Sequence, residues 1–177
     1  MTRIFHSLAF SAALLAGSAG AANVANPGFV GKYVTTPQDT AAIHQVIADF
    51  QSALKTKNMV LMSSLLMSSD ILFANPARPE SIVKARTKID VNFNGLVGKG
   101  FPGFADMIMR DKAVMEERFY NIRITQDDNV AVVMFDFDFL YDGKIENHGL
   151  EVWQMMKDVQ GKWKIASVFW SSKGVPK

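Results

Sequence analysis

Residues 130–141 read Val130-Ala131-Val132-Val133-Met134-Phe135-Asp136-Phe137-Asp138-Phe139-Leu140-Tyr141. Phe135, Phe137, Phe139 and Tyr141 alternate with Asp136, Asp138 and Leu140, the two-residue period of a strand with one buried face. Slipping that period by one residue would bury both aspartates. The rings therefore point inward and the aspartates outward. A row of rings makes either a packed core or the wall of a pocket, and the segment alone leaves both open.

The same alternation extends on either side and predicts four strands, over residues 114–125, 130–141, 145–157 and 162–172. Gln126-Asp127-Asp128-Asn129 is a turn, Asp142-Gly143 is the tip of a hairpin, and Asp158 to Gly161 form another turn. Strands joined this closely pair antiparallel.

Upstream the period is helical. Thr36-Pro37-Gln38-Asp39 supplies a capping hydroxyl, a proline in the first turn and an acid at the third position. Ile43, Val46, Ile47, Phe50, Ala53 and Leu54 then form one apolar stripe. A shorter helix carries Met59, Met62, Leu65 and Leu66, and Ile71-Leu72-Phe73 is a brief strand ended by Asn75-Pro76. Pro79-Glu80-Ser81 opens a third helix with Ile82, Ala85, Arg86 and Ile89 in register. Helices first and strands afterwards predict an α+β domain over residues 36–177, its N-terminal helices packed on a curved, mostly antiparallel sheet.

Composition narrows the function classes. The chain has 177 residues, 49% of them hydrophobic and 20% charged, which suits one domain with a real core. A net charge of +2, with Lys112, Glu116, Glu117 and Arg118 interleaved as a solvated face, argues against nucleic acid. The sequence has no cysteine, which excludes disulfides, thiol catalysis and thiolate metal sites.

Residues 1–22 have the three parts of a cleavable export signal. Arg3 is the positive start, Leu8 to Ala16 the short apolar stretch, and Ala19-Gly20-Ala21 the small-residue site, with cleavage after Ala21 or Ala22. The protein is thus expected in the periplasm or secreted, with no stable membrane insertion after cleavage. Residues 23–35, with Asn26, Pro27, Gly28 and Gly31, read as a linker or N-terminal arm.

Gly98-Lys99-Gly100-Phe101-Pro102-Gly103 has the spelling of a dinucleotide fingerprint, yet no strong strand leads into it and Pro102 lacks an N–H. It reads as a flexible loop, with Phe101 and Phe104 able to cover a pocket. His44 and His148 have no partner at ligand spacing, so neither a metal nor a cofactor is implied. His148 reads as a partly exposed strand histidine or as a general base. Glu151 shares a strand face with Trp153; if that face is inward, Glu151 is a buried acid with a raised pKa and a candidate proton carrier.

The order helix, helix, short strand with Asn75-Pro76, helix and four-strand meander, with Val152-Trp153-Gln154-Met155-Met156-Lys157 and Gly161-Lys162-Trp163-Lys164-Ile165 as its last hairpin, resembles the nuclear transport factor 2-like superfamily. That group includes SnoaL-like cyclases and ketosteroid isomerases. The resemblance implies a cone-shaped α+β barrel with an apolar cavity, and a homodimer through the outer sheet face. It also implies Phe50, Phe73, Asn75, Tyr120, Phe137, Phe139, Ala166, Val168 and Trp170 as positions around a ligand.

The isomerase roles do not carry over. Asn75 stands where the resemblance would put the base, Phe50 where it would put a tyrosine donor, and Trp153 near the second donor. The expected function is therefore binding of a small, largely apolar molecule. A lyase, isomerase, hydratase or cyclase using His148 or Glu151 is one alternative, and an interaction module with a filled core is another.

Overall fold

A computed structural model describes residues 25–98 and 100–175, so the expected export signal lies outside the described residues. The described residues fall into two separate units, one of residues 25–32 and one from Tyr33 onward. In the described part of the first, the Val30 N–H donates to the Pro27 carbonyl at 2.9 Å and closes a turn.

The described residues of the second unit hold four helices and seven strands. In chain order these are α1 (Pro37–Lys55), α2 (Met59–Ser64), β1 (Leu72–Pro76), α3 (Pro79–Lys88), β2 (Leu96–Val97), α4 (Phe101–Arg110), β3 (Met115–Asp127), β4 (Val130–Tyr141), β5 (Lys144–Lys157), β6 (Trp163–Trp170) and β7 (Lys173–Gly174). The sheet runs β2-β1-β6-β5-β4-β3, with β7 on β5. All pairings are antiparallel except β1 with β6, which is parallel. Asp142 and Gly143 both have positive φ (46° and 77°), the backbone of the tight turn expected between β4 and β5.

The long helix α1 lies across the concave face. Its Ile43, Ile47, Phe50, Ala53 and Leu54 are buried against Val133, Phe135, Trp153, Ile165 and Val168 of the sheet. Phe50 packs on Trp153 with centroids 4.9 Å apart, and Trp153 on Phe135 at 5.1 Å. The helix start is fixed by one carboxylate. Asp39 accepts from Thr36 Oγ1, Gln126 Nε2 and Trp163 Nε1, and pairs with Lys157 Nζ at 2.8 Å. Three strands are thereby tied to one helix end. Lys157 foremost, then Trp163 and Thr36, hold the Asp39 carboxyl well below the ordinary carboxylate range.

Three irregularities set which residues face inward. On β3 the register shifts between Tyr120 and Arg123, and Asn121 takes a positive φ of 52°. Met115, Glu117 and Phe119 face the concave side before this bulge, and Ile122, Ile124 and Gln126 after it. On β5 the shift opposite Phe139 and Leu140 leaves Glu146 as the extra residue. On β6 the shift opposite Gln154 and Met155 leaves Ala166 as the extra residue.

Two expectations need correction. The Gly-rich stretch is not a plain loop: a helix begins at Phe101, with Gly100 as its cap. Pro102 sits in the first turn, where its missing N–H costs nothing, and Phe101, Phe104, Ala105 and Ile108 recur at helical spacing. Helix α3 forms where expected, but none of its residues is buried and Ile89 just beyond it is exposed.

Candidate functional site

Beside the packed end of the sheet, β1, β3, β4, β5, β6 and α4 line a half-open cavity of about 750 Å³. That volume lies within the range of small-molecule sites, roughly 300–1,000 Å³. Phe50 and Phe73 form its floor, Phe137, Phe139 and Tyr141 one wall, and Trp170 another. Phe104 and Met107 reach in from α4. Phe73 is the hub of this wall, with ring centroids 4.5 Å from Phe104, 5.7 Å from Trp170 and 6.4 Å from Phe50.

Gly98 gives the rim its form. A Cβ there would lie 2.4 Å from the Phe73 carbonyl oxygen, and φ is +103°. Only glycine lets the chain pass this close to β1 before α4 begins.

Two acids enter this apolar space. Glu151 of β5 is 3% exposed and Glu117 of β3 is 8% exposed. β4 lies between their strands, with Glu117 opposite Phe139 and Glu151 opposite Phe135. Both line the cavity, and the charge of Glu151 bears directly on Glu117. Glu151 Oε1 also accepts the Trp153 indole N–H at 2.5 Å.

Burial drives both acids toward the neutral form. It pushes Glu151 up to about 7, against the pull of the Trp153 and Glu117 hydrogen bonds. It raises Glu117 well above the ordinary range, helped by the charge of Glu151. Both acids are thus held toward the protonated form, and two carboxyls that influence each other in this way titrate as a pair. Glu146, from the β5 bulge, and Asn147 add polar groups to the lining. The Asn75 amide faces the cavity as well, with Nδ2 donating to the Pro76 carbonyl at 3.3 Å.

Of the residues singled out in the sequence, Phe50, Phe73, Asn75, Phe137, Phe139, Glu151 and Trp170 meet at this cavity. Four do not. His148 stands opposite Asp138 and therefore on the outer sheet face, away from the cavity. Tyr120 is on that outer face too, where its hydroxyl donates to Asp138 Oδ2 at 3.1 Å. Val168 faces inward but is fully packed in the core. Ala166 is the bulged residue of β6, which hands its inward place to Ile165.

Asp136 and Asp138 do lie on the outer face, yet Asp138 is not solvated. Arg118 grips it bidentately at 2.7 and 2.5 Å and keeps its carboxyl below the usual range.

Glu117 is the site residue that sequence reasoning missed. It stands in the run Glu116-Glu117-Arg118, which reads as a solvated face. Its parity with Met115 and Phe119 was the signal for an inward side chain.

No family model matches this sequence, and no curated protein matches it. Solved structures do. A nuclear transport factor 2-like protein of unknown function from Shewanella baltica superposes with a TM-score of 0.56 at 18% identity, over 80% of this chain and 99% of that one. The chain has the nuclear transport factor 2-like fold. A superfamily protein of this fold from Salmonella enterica aligns at TM-score 0.55 and 18% identity, over 79% of this chain and 94% of its own. A protein from Catenulispora acidiphila, solved in complex with S-DNPA, aligns at TM-score 0.57 and 14% identity, over 77% and 95%. The nuclear transport factor 2-like fold expected from the final hairpin is thus the one found, with helices packed on an open, curved, mixed sheet. At these identities the likeness is one of fold, and fold does not carry chemistry.

Proposed function

We propose that the domain binds a small, largely apolar molecule in this cavity, with the polar end of the molecule at Glu117 and Glu151. The observation that carries the reading is the half-open aromatic cavity with hydrogen-bonding groups gathered at one place, the usual anatomy of a small-molecule site. Phe50, Phe73, Phe137, Phe139 and Trp170 supply contact area, and the carboxyl pair and Asn75 orient the ligand. The complexed Catenulispora acidiphila protein of similar fold is consistent with this use. Isothermal titration with phenylbutanol tests it, together with native mass spectrometry of protein purified from its own host. One-to-one uptake or a retained hydrophobe is the expected result. No uptake by either method contradicts the reading.

The proposal places this activity outside the cytoplasm, on the strength of the signal-like residues 1–22, and mass measurement of the mature chain checks cleavage after Ala21 or Ala22. It also includes a homodimer through the outer sheet face, supported by the Arg118–Asp138 and Asn121–Asp136 contacts presented there and by exposed Val132 and Leu150. Sedimentation of wild type and Asp136→Arg tests that part.

A second reading is favoured by one observation, the two buried acids that line the cavity together. A carboxyl pair with one member near neutrality can both donate and accept a proton during isomerisation, elimination, hydration or cyclisation. A bell-shaped pH–rate profile lost in Glu151→Gln would establish it.

A further inference from the structure

We infer that the molecule taken up by the cavity is a lipophilic amine, its ammonium held at the Glu117–Glu151 pair and its apolar body among the rings. This rests on the pocket reading above and narrows it to one ligand class.

The charge inventory comes first. The cavity is lined by three carboxyl groups, Glu117, Glu146 and Glu151. Among the described residues, no lysine, arginine or histidine lines it. This differs from how the chain treats its other covered acids. Asp138 is gripped by Arg118, and Asp39 by Lys157. Glu117 and Glu151 are buried more deeply than Asp138. Among the described residues, neither has a basic partner within salt-bridge reach. Glu151 receives one indole N–H, and among the described residues the one side-chain hydrogen bond to Glu117 goes to its backbone carbonyl, leaving its carboxyl without a donor.

A buried carboxylate without a counter-charge is costly, and the cost is relieved by a cation with N–H groups to donate. With one proton in the pair, its net charge is −1, so a single ammonium neutralises it.

The walls suit the same guest. Phe50, Phe73, Phe139, Tyr141 and Trp170 present rings to the space, and ring faces attract cations. A neutral alcohol gains one hydrogen bond from the pair but leaves its charge uncompensated. An anion meets three carboxyls and is repelled.

The test compares two probes of nearly equal shape, phenylbutylamine and phenylbutanol, by isothermal titration against the intact protein. The amine is expected to bind about tenfold or more tightly than the alcohol at about pH 8, the scale of a charge-assisted hydrogen bond. Below neutral pH that advantage shrinks, because the pair takes up its second proton. The other ionisable groups near the pair are Glu146 and Tyr141 in the cavity and Asp138, whose charge acts through the sheet. In Glu117→Gln/Glu151→Gln, substitutions of equal shape that remove the pair's charge, the preference is expected to drop below about threefold, with thermal melting as the check on folding. If that variant does not fold, the pH series on wild type stands by itself.

Equal affinity of the two probes overturns the inference and leaves the pocket reading intact. So does a preference that is insensitive to pH in wild type, or one retained in Glu117→Gln/Glu151→Gln. Binding of neither probe sinks the inference together with the reading beneath it.

Discussion

Trp153 donates its indole N–H to Glu151 Oε1 across 2.5 Å, joining the largest fully buried side chain of the core to one acid of the cavity. This bond stabilises the ionised form of Glu151. Trp153→Phe keeps most of the ring and removes the donor, so Glu151 is expected to titrate above its present value of about 7. Carboxyl NMR of labelled glutamate reads the shift directly. Lost packing and the lost bond together are expected to destabilise the fold by about 2–3 kcal/mol.

Stability should fall as pH rises through neutrality. Glu151 holds its proton to about 7 when folded, against an ordinary value of 4.5, so the folded state binds more protons in that interval. Its contribution is complete below 4.5 and lost as pH rises through about 7, on the order of 3 kcal/mol. Melting temperature against pH checks this, and the double variant Glu117→Gln/Glu151→Gln should flatten the slope. Asp39 and Asp138 act in the opposite sense, because their folded carboxyls sit below the ordinary 3.8. Their contribution is present above 3.8 and lost in more acid solution, so the two windows do not overlap.

Phe50 belongs to the core and the cavity floor at once, being 1% exposed and stacked near both Trp153 and Phe73. Phe50→Ala is expected to cost about 3–5 kcal/mol, the range for deleting a buried ring. Denaturant unfolding measures it. A loss under about 1 kcal/mol would mean that the floor collapses to fill the gap.

Gly98→Ala tests the rim. The added methyl would meet the Phe73 carbonyl at 2.4 Å and the residue would be held at φ +103°. A destabilisation of about 2 kcal/mol or more is expected, from backbone strain and the forced parting of the rim from β1.

How much of this was legible in the sequence depended on local regularity. The Phe135-Asp136-Phe137-Asp138-Phe139 alternation is unbroken, and β4 runs over the residues it predicts, 130–141. The cap at Thr36 and the stripe through Phe50 likewise gave α1 directly. Bulges were not legible. Nothing around Ala166 announces that β6 changes phase there, so Ile165 is inward where Ala166 was expected. His148 stayed open between an exposed strand histidine and a general base for a related reason. Which face it takes depends on pairing with Asp138 beyond the irregularity at Glu146, and that register is a property of two strands together.

Glu117 and α4 were readable but masked by stronger local cues. A charge run outweighed the parity of Met115, Glu117 and Phe119, and two glycines with a proline outweighed the helical spacing of Phe101, Phe104 and Ile108. The acid pair itself was beyond single-strand reasoning, because its members come from strands separated by β4.

The most direct test is a crystal structure of the protein soaked with phenylbutanol. The account predicts the phenyl ring between Phe73, Phe137 and Trp170, with the hydroxyl in hydrogen-bond contact with Glu117 or Glu151. A cavity closed by inward-turned side chains, or the compound bound only at the surface, would contradict it.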